Sequence, residues 1–169
     1  MFTDEQIEEL LEFLITLSPE TKLYFGCDSL SFRKKEGWHG KFATVLVVHM
    51  NGKNGCRVFR NISYERVYDD KKGRPSDRLM KEVYKVTELY NQLIPLVNEF
   101  DCEIHLDINP DKLWGSSCVA NQAAGYVLGV TGIQEENLKL KPDAWSASYA
   151  ADGIGRGFDY RKYKEREDV

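Results

Sequence analysis

The stretch Lys22-Leu23-Tyr24-Phe25-Gly26-Cys27-Asp28-Ser29 decides the fold: an apolar run stops on a carboxylate. Its counterpart is Glu103-Ile104-His105-Leu106-Asp107-Ile108-Asn109-Pro110, a second apolar run ending in an aspartate. A third aspartate, Asp143, opens the segment Asp143-Ala144-Trp145-Ser146. Carboxylates this far apart in sequence converge only if their strands lie side by side. Adjacent strands run ~4.8 Å apart, and paired divalent cations in hydrolytic sites lie ~3.5–4 Å apart. Converging carboxylate oxygens are the donors that hard divalent cations prefer.

Working outward, residues 3–17 read as a helix. Thr3 and Gln6 form a capping-box pattern, and Ile7, Leu10, Leu11, Leu14 and Leu17 make one apolar stripe. Ser18-Pro19 stops it. Residues 22–27 are a strand, 29–40 a long polar turn, and 42–50 a Val-rich strand. A strand at 55–62 follows after a short gap, so these two form a hairpin. Ser76 caps a long helix reaching about residue 100, with Pro95 kinking or shortening its end. Residues 103–106 are a buried strand and 116–128 a helix ended by Gly129. Residues 137–140 are a short strand, and 143–152 a last helix. The order α, β, β, β, α, β, α, β, α calls for antiparallel strands at one edge and parallel crossovers at the other. A site would then lie at the carboxyl ends of the strands, at the switch point.

Bulk properties narrow the classes. At 169 residues the chain is one domain's worth. The net charge of −4 is not the basic footprint of a strong non-specific nucleic-acid binder. Acidic metal sites nevertheless invert their local charge when loaded. Cys27, Cys56, Cys102 and Cys118 form no C-x-x-C pair. No basic leader precedes an apolar segment, and no run is long enough to span a membrane. Free thiols without an export signal point to the cytoplasm.

Gly26-Cys27-Asp28-Ser29, His105-Leu106-Asp107-Ile108-Asn109, Lys141-Pro142-Asp143-Ala144-Trp145 and Ser148-Tyr149-Ala150-Ala151-Asp152 together resemble the ribonuclease H-like superfamily, and more closely its bacterial YkuK-type branch. The resemblance implies an α/β fold: a five-stranded mixed sheet in order 3-2-1-4-5, flanked by helices, with an extra N-terminal helix. Residues 1–20 would be that helix packed on the core, 21–152 the ribonuclease H-like domain, and 153–169 a charged tail. It also implies a Mg²⁺- or Mn²⁺-dependent nuclease cutting phosphodiester bonds in RNA, DNA or a hybrid. Asp28, Asp107 and Asp143 would be metal ligands. Glu82 is the best match to the fourth carboxylate, ahead of Glu88. Asp152 lies ~13 Å further along the last helix than Asp143, so only one of them can serve one ion. Asp143 stands beside the strand end and is the preferred one.

Each acid has an ordinary alternative. Aspartates follow strands and start helices without further purpose, and Glu82 reads equally well as an exposed helical residue. Ser29 and Asn109 fit as supports or substrate contacts, Asn109 by holding Asp107. Alternation puts His105 on the face of Asp107, although a satisfied core histidine is the plainer reading. Arg33, Lys34, Lys35, Trp38 and His39 in the early loop, with Lys71, Lys72 and Arg74 in a second one, are weak candidates for nucleic-acid contact. Asp107-x-Asn109-x-Asp111 opens like a calcium loop, but Lys112 takes the glycine position. The competing function is a catalytically silent module of the same fold that binds nucleic acid or serves as a protein scaffold.

Overall fold

The computed structural model of the chain describes residues 1–69 and 75–157. Helix α1 (Asp4–Leu14) starts at the expected capping box. Thr3 Oγ1 accepts from the Gln6 N–H and Gln6 Oε1 accepts from the Thr3 N–H. Gln6 Nε2 also donates to the carbonyl of Arg60, which ties the helix to the sheet. Leu10 and Leu14 are buried, with Ile7, Phe13 and Leu17 packed around them, so the apolar stripe covers the chain's own core.

Strands β1 (Lys22–Lys34), β2 (Gly37–His49) and β3 (Cys56–Arg66) form an antiparallel meander. Strands β4 (Asp101–Leu106) and β5 (Leu138–Leu140) add in parallel on the far side of β1. The sheet order is β3-β2-β1-β4-β5, the 3-2-1-4-5 arrangement expected from the sequence.

The first correction concerns residues 29–40. They are not a long turn, because β1 and β2 pair continuously from Lys22↔His49 to Lys34↔Gly37 and turn at Lys35-Glu36. Gly37, at φ 126°, supplies the backbone that the tight turn needs. The arm reads as polar because only one of its faces is covered. Leu30 lies against the position of Gly155, and Phe32 meets His39 and Tyr64.

Helix α2 (Ser76–Val97) crosses between β3 and β4. Ser76 does not cap it; Asp69 Oδ1 accepts the free N–H groups of Asp77 and Arg78 instead. Pro95 falls in the last turn, where it removes little, and the helix ends at Val97. Helix α3 (Ala120–Thr131) begins later than expected, after a 3₁₀ turn at Gly115–Val119. It ends at Gly132 in the left-handed conformation (φ 66°) rather than at Gly129. Helix α4 (Trp145–Gly155) also starts later than expected. Asp143 precedes it in a turn, its N–H bonded to the Leu140 carbonyl at 2.9 Å. The helix runs on through Gly153 to Gly155, and the remainder of the charged tail, from residue 158, lies outside the described residues.

Alternation along β1 and β2 sorts the two faces. Leu23, Phe25, Cys27, Phe42, Leu46 and Val48 pack with α1, α2 and α3 in the main core. Ala43, Val45 and Val47 face the other way, against Ala150, Ala151 and Ile154 of α4. Small residues on both sides of this second interface let α4 sit close to the sheet. Asp28 pairs with Ala43 and belongs by alternation to the α4 side.

Candidate functional site

The parallel ladder between β1 and β4 stops at Cys27↔Leu106. Asp28 and Asp107 are therefore the next residue on each chain, at the switch point where β1 has an antiparallel neighbour on one side and a parallel one on the other. Both line a cleft of about 690 Å³ at that end of the sheet. Asp152 lines it too, carried in on α4 by the packing of its neighbour Ala151.

Asp143 is not among the cleft residues; it is exposed in the turn ahead of α4. Of the pair weighed from the sequence, the structure puts Asp152 in the cleft and leaves the preferred Asp143 outside it. The reason is the late start of α4. Residues 141–144 are spent on the turn that leaves β5, so the helix presents a deeper position to Asp28.

Glu82 comes from the opposite face of the sheet and is buried. Ser29 Oγ donates to Glu82 Oε1 at 2.6 Å. Arg78 Nη1 donates to the same oxygen at 3.0 Å, to Ser29 Oγ at 2.8 Å and to the Ser29 carbonyl at 3.0 Å. The Ser29 N–H in turn donates to Asp28 Oδ1 at 2.7 Å. One short network thus links Glu82 through Ser29 to Asp28.

The other acids have their own cations. Lys141 forms an ion pair with Asp107 Oδ1. Arg156 Nε donates to Asp152 Oδ1 at 2.7 Å, one helical turn on. Asp28 has no ion-pair partner among the described residues. Burial, then the charge of Asp107, pushes its carboxyl up to about 6, with Asp152 adding to the shift and Arg78 opposing it. Glu82 is pushed well above the usual range by burial and then by Asp28, against the pull of Arg78 and Ser29. Burial would lower the Lys141 ammonium, but the hydrogen bond and charge of Asp107 outweigh it and raise it.

The supporting candidates divide. Ser29 is central to the network. Asn109 lines the cleft, but its Oδ1 accepts the Asp111 N–H at 3.0 Å, and its own N–H goes to Ser116 Oγ. His105 is buried, stacked on Tyr24 at 5.0 Å with Nε2 2.9 Å from Glu103 Oε2, and does not line the cleft. Arg33, Lys34, Lys35, Trp38 and His39 sit at the distal end of the β1–β2 arm, away from the cleft lining. Lys71, Lys72 and Arg74 lie outside the described residues.

Sequence reading gave no role to Arg78 or Trp114, nor to Lys141, Ser148 and Tyr149 within the motifs it quoted, and all of these line the cleft. For α4 the signal was available. Positions 145, 148, 149, 152 and 156 recur at helical spacing and form the stripe that faces the cleft.

Carboxylate oxygens are the donors a hard cation takes, and Asp28, Asp107 and Asp152 bring such oxygens to the cleft, with Glu82 buried behind Ser29. Among the described residues, no three or more His, Cys, Asp or Glu side chains are grouped so that they could hold a metal ion. The oxygens of Asp107, Asp152 and Glu82 are instead held by Lys141, Arg156 and Arg78.

The mixed sheet order, the acids just past the end of the β1–β4 ladder and the closing helix define a ribonuclease H-like protein. The profile of the Ribonuclease H-like family matches residues 5–156, and the chain belongs to that family. The match takes in α1 as well as the sheet. Comparison with curated proteins and with solved structures gives no match. Among the described residues, no helix is long and apolar enough to cross a membrane.

Proposed function

We propose that the chain is a divalent-metal-dependent nuclease that hydrolyses phosphodiester bonds in nucleic acid, with Mg²⁺ or Mn²⁺ as its ion, and that within its family it belongs to the YkuK-type branch. The observation that carries this reading is the register of Asp28 and Asp107. Two acids stand side by side past one ladder end, with Asp152 brought to them by α4. Asp28, Asp107 and Asp152 would hold the ion, with Glu82 behind them; Asp152 takes the place that the motif comparison gave to Asp143. When bound, such an ion activates water and stabilises charge on a phosphodiester. The chain's own residues do the rest. The Ser29–Arg78 network fixes the Glu82 and Asp28 carboxylates in place. Lys141 and Arg156 neutralise Asp107 and Asp152 and keep four acids from forcing one another apart. The buried thiols of Cys27 and Cys102, held up by desolvation, take no part, and free thiols throughout suit a cytoplasmic protein.

The second reading, a catalytically silent ribonuclease H-fold module that binds nucleic acid or a protein, is favoured by the ion pairs that occupy Asp107, Asp152 and Glu82. The test separates them. The protein is incubated with Mn²⁺ or Mg²⁺ and labelled single-stranded RNA, single- and double-stranded DNA, and RNA–DNA hybrid, beside Asp107→Asn. Cleavage abolished by chelator and by the substitution supports the nuclease. Binding without cleavage of any substrate at high enzyme supports the silent module.

A further inference from the structure

The cleft is rimmed by aromatic rings that folding leaves uncovered. Trp114, in the loop after β4, is 60% exposed; Trp145, the first residue of α4, is 64% exposed; Tyr149, one turn later, is 73% exposed. All three line the same cleft as Asp28, Asp107 and Asp152. Trp145 and Tyr149 are four residues apart and share one helix face, and Trp114 reaches the cleft from a different element. Single exposed aromatics are ordinary, but three around one acid-floored cleft form a surface with a use. Between them, Ser148 Oγ is buried (7% residue exposure) and finds no hydrogen-bond partner among the described residues. A buried hydroxyl left unsatisfied is costly, and this one lines the cleft, so a polar group of a ligand would satisfy it.

We propose that these rings are a stacking platform for unpaired bases, and that the substrate class of this site is single-stranded nucleic acid. The inference rests on the nuclease reading for the identity of the polymer. Its own argument is geometric. In a duplex the base faces are covered by their neighbours, and only the edges and the backbone are presented. A flat π surface can be used only by a base whose face is free. Without an ion the acids in the floor disfavour a phosphate, whereas a neutral base on an aromatic ring meets no such penalty with or without one. Ser148 adds a donor and acceptor for a base or sugar edge.

The test is fluorescence anisotropy on the full chain. The probes are labelled oligothymidylate, oligouridylate, a blunt duplex and a backbone-matched abasic strand, with Ca²⁺ present. The inference expects single strands to bind at least about tenfold tighter than the duplex or the abasic strand. Trp114→Ala and Trp145→Ala should each weaken single-strand binding by roughly 5–100-fold, the range of one lost base stack. Trp145→Phe should recover most of it, since a smaller ring still stacks. Both tryptophans are more than half exposed, so the variants should keep the native melting temperature, and that is measured alongside. The thymidylate and uridylate arms separate a DNA from an RNA preference. Equal binding of duplex and single strand, or tryptophan variants that bind like the parent, would overturn the proposal even if cleavage is observed. Tight, tryptophan-dependent binding without cleavage would uphold it and remove the nuclease reading. Absence of binding to every probe would overturn the stacking proposal, while the nuclease reading stands or falls on the cleavage assay.

Discussion

Lys141 pairs its ammonium with Asp107 in the lining of the cleft, where it occupies one of the two carboxylate oxygens open to a divalent ion. A chain cation and a metal ion therefore compete for Asp107. Lys141→Ala should tighten Mn²⁺ binding by about three- to tenfold, the scale of one partly screened charge contact. Isothermal titration of the metal into both proteins reads this directly. Unchanged or weaker Mn²⁺ affinity in the variant would mean that Lys141 does not guard the site.

Asp152 and Asp143 give a clean contrast. Asp152→Asn should lower metal-dependent cleavage by roughly a hundredfold or more, as expected for loss of a metal-bound acid. Asp143→Asn, in an exposed turn outside the cleft, should stay within about threefold of the parent. Both should melt with the parent, because each carboxylate is partly or fully exposed. The reverse ranking would return the role to Asp143.

Asp28 carries a pH signature. Its folded pKa, about 6, lies above the ordinary 3.8, so the native state binds this proton more tightly than the unfolded chain. Stability associated with it is present at low pH and lost as pH rises from about 4 through about 6. At neutral pH the ionised group costs on the order of 3 kcal/mol. Asp28→Asn should therefore stabilise the metal-free protein near pH 7.5 and make little difference near pH 4. His105 works in the opposite direction. Burial holds its imidazole below the usual range against the pull of Glu103, so it contributes stability above about pH 6.5 that is lost on acidification. It is common to both proteins and drops out of the difference. Urea melts at the two pH values supply the measurement, and a variant that is less stable at pH 7.5 contradicts the assignment.

The Arg78–Glu82 pair behaves asymmetrically. Arg78→Ala leaves Glu82 buried beside Asp28 without its cation and should cost about 3 kcal/mol. Glu82→Gln removes the buried charge while keeping an acceptor for Ser29, and should be near neutral or stabilising. The double variant should recover most of the loss in a mutant cycle. Additive losses would show that the two side chains act independently.

Much of this site was legible because the ends of apolar runs are legible. The runs before Asp28 and Asp107 stop sharply on a carboxylate, so both acids could be placed side by side before any coordinates, although β1 itself continues to Lys34. Glu82 was left open between a site acid and an exposed helical residue; the structure buries it, in keeping with its place three residues after Leu79 and four before Val86 in the apolar stripe of α2. What escaped was set by tertiary contacts. The β1–β2 arm alternates too weakly to announce itself, since one of its faces is open to solvent. The start of α4 depends on the turn that leaves β5, which local propensity around Asp143 cannot reveal. Asp28 and Asp152 line one cleft because α4 packs on the sheet through Ala43 and Ala151, and small residues give no directional signal in a sequence.

That packing is itself testable. Ala151 is fully buried against Ala43 and Val45, and it neighbours Asp152. Ala151→Leu adds volume where no space exists, and the helix must lift from the sheet to accept it. Overpacking of this kind costs roughly 1–3 kcal/mol. It also draws Asp152 away from Asp28, so cleavage should fall together with stability. Asp152→Asn, in contrast, should lose activity at an unchanged melting temperature. Ala151→Ser, nearly the same size, should retain both better than Ala151→Leu. If Ala151→Leu loses stability but cleaves as well as the parent, the position of α4 is not what delivers the third acid, and the role given to Asp152 fails with it.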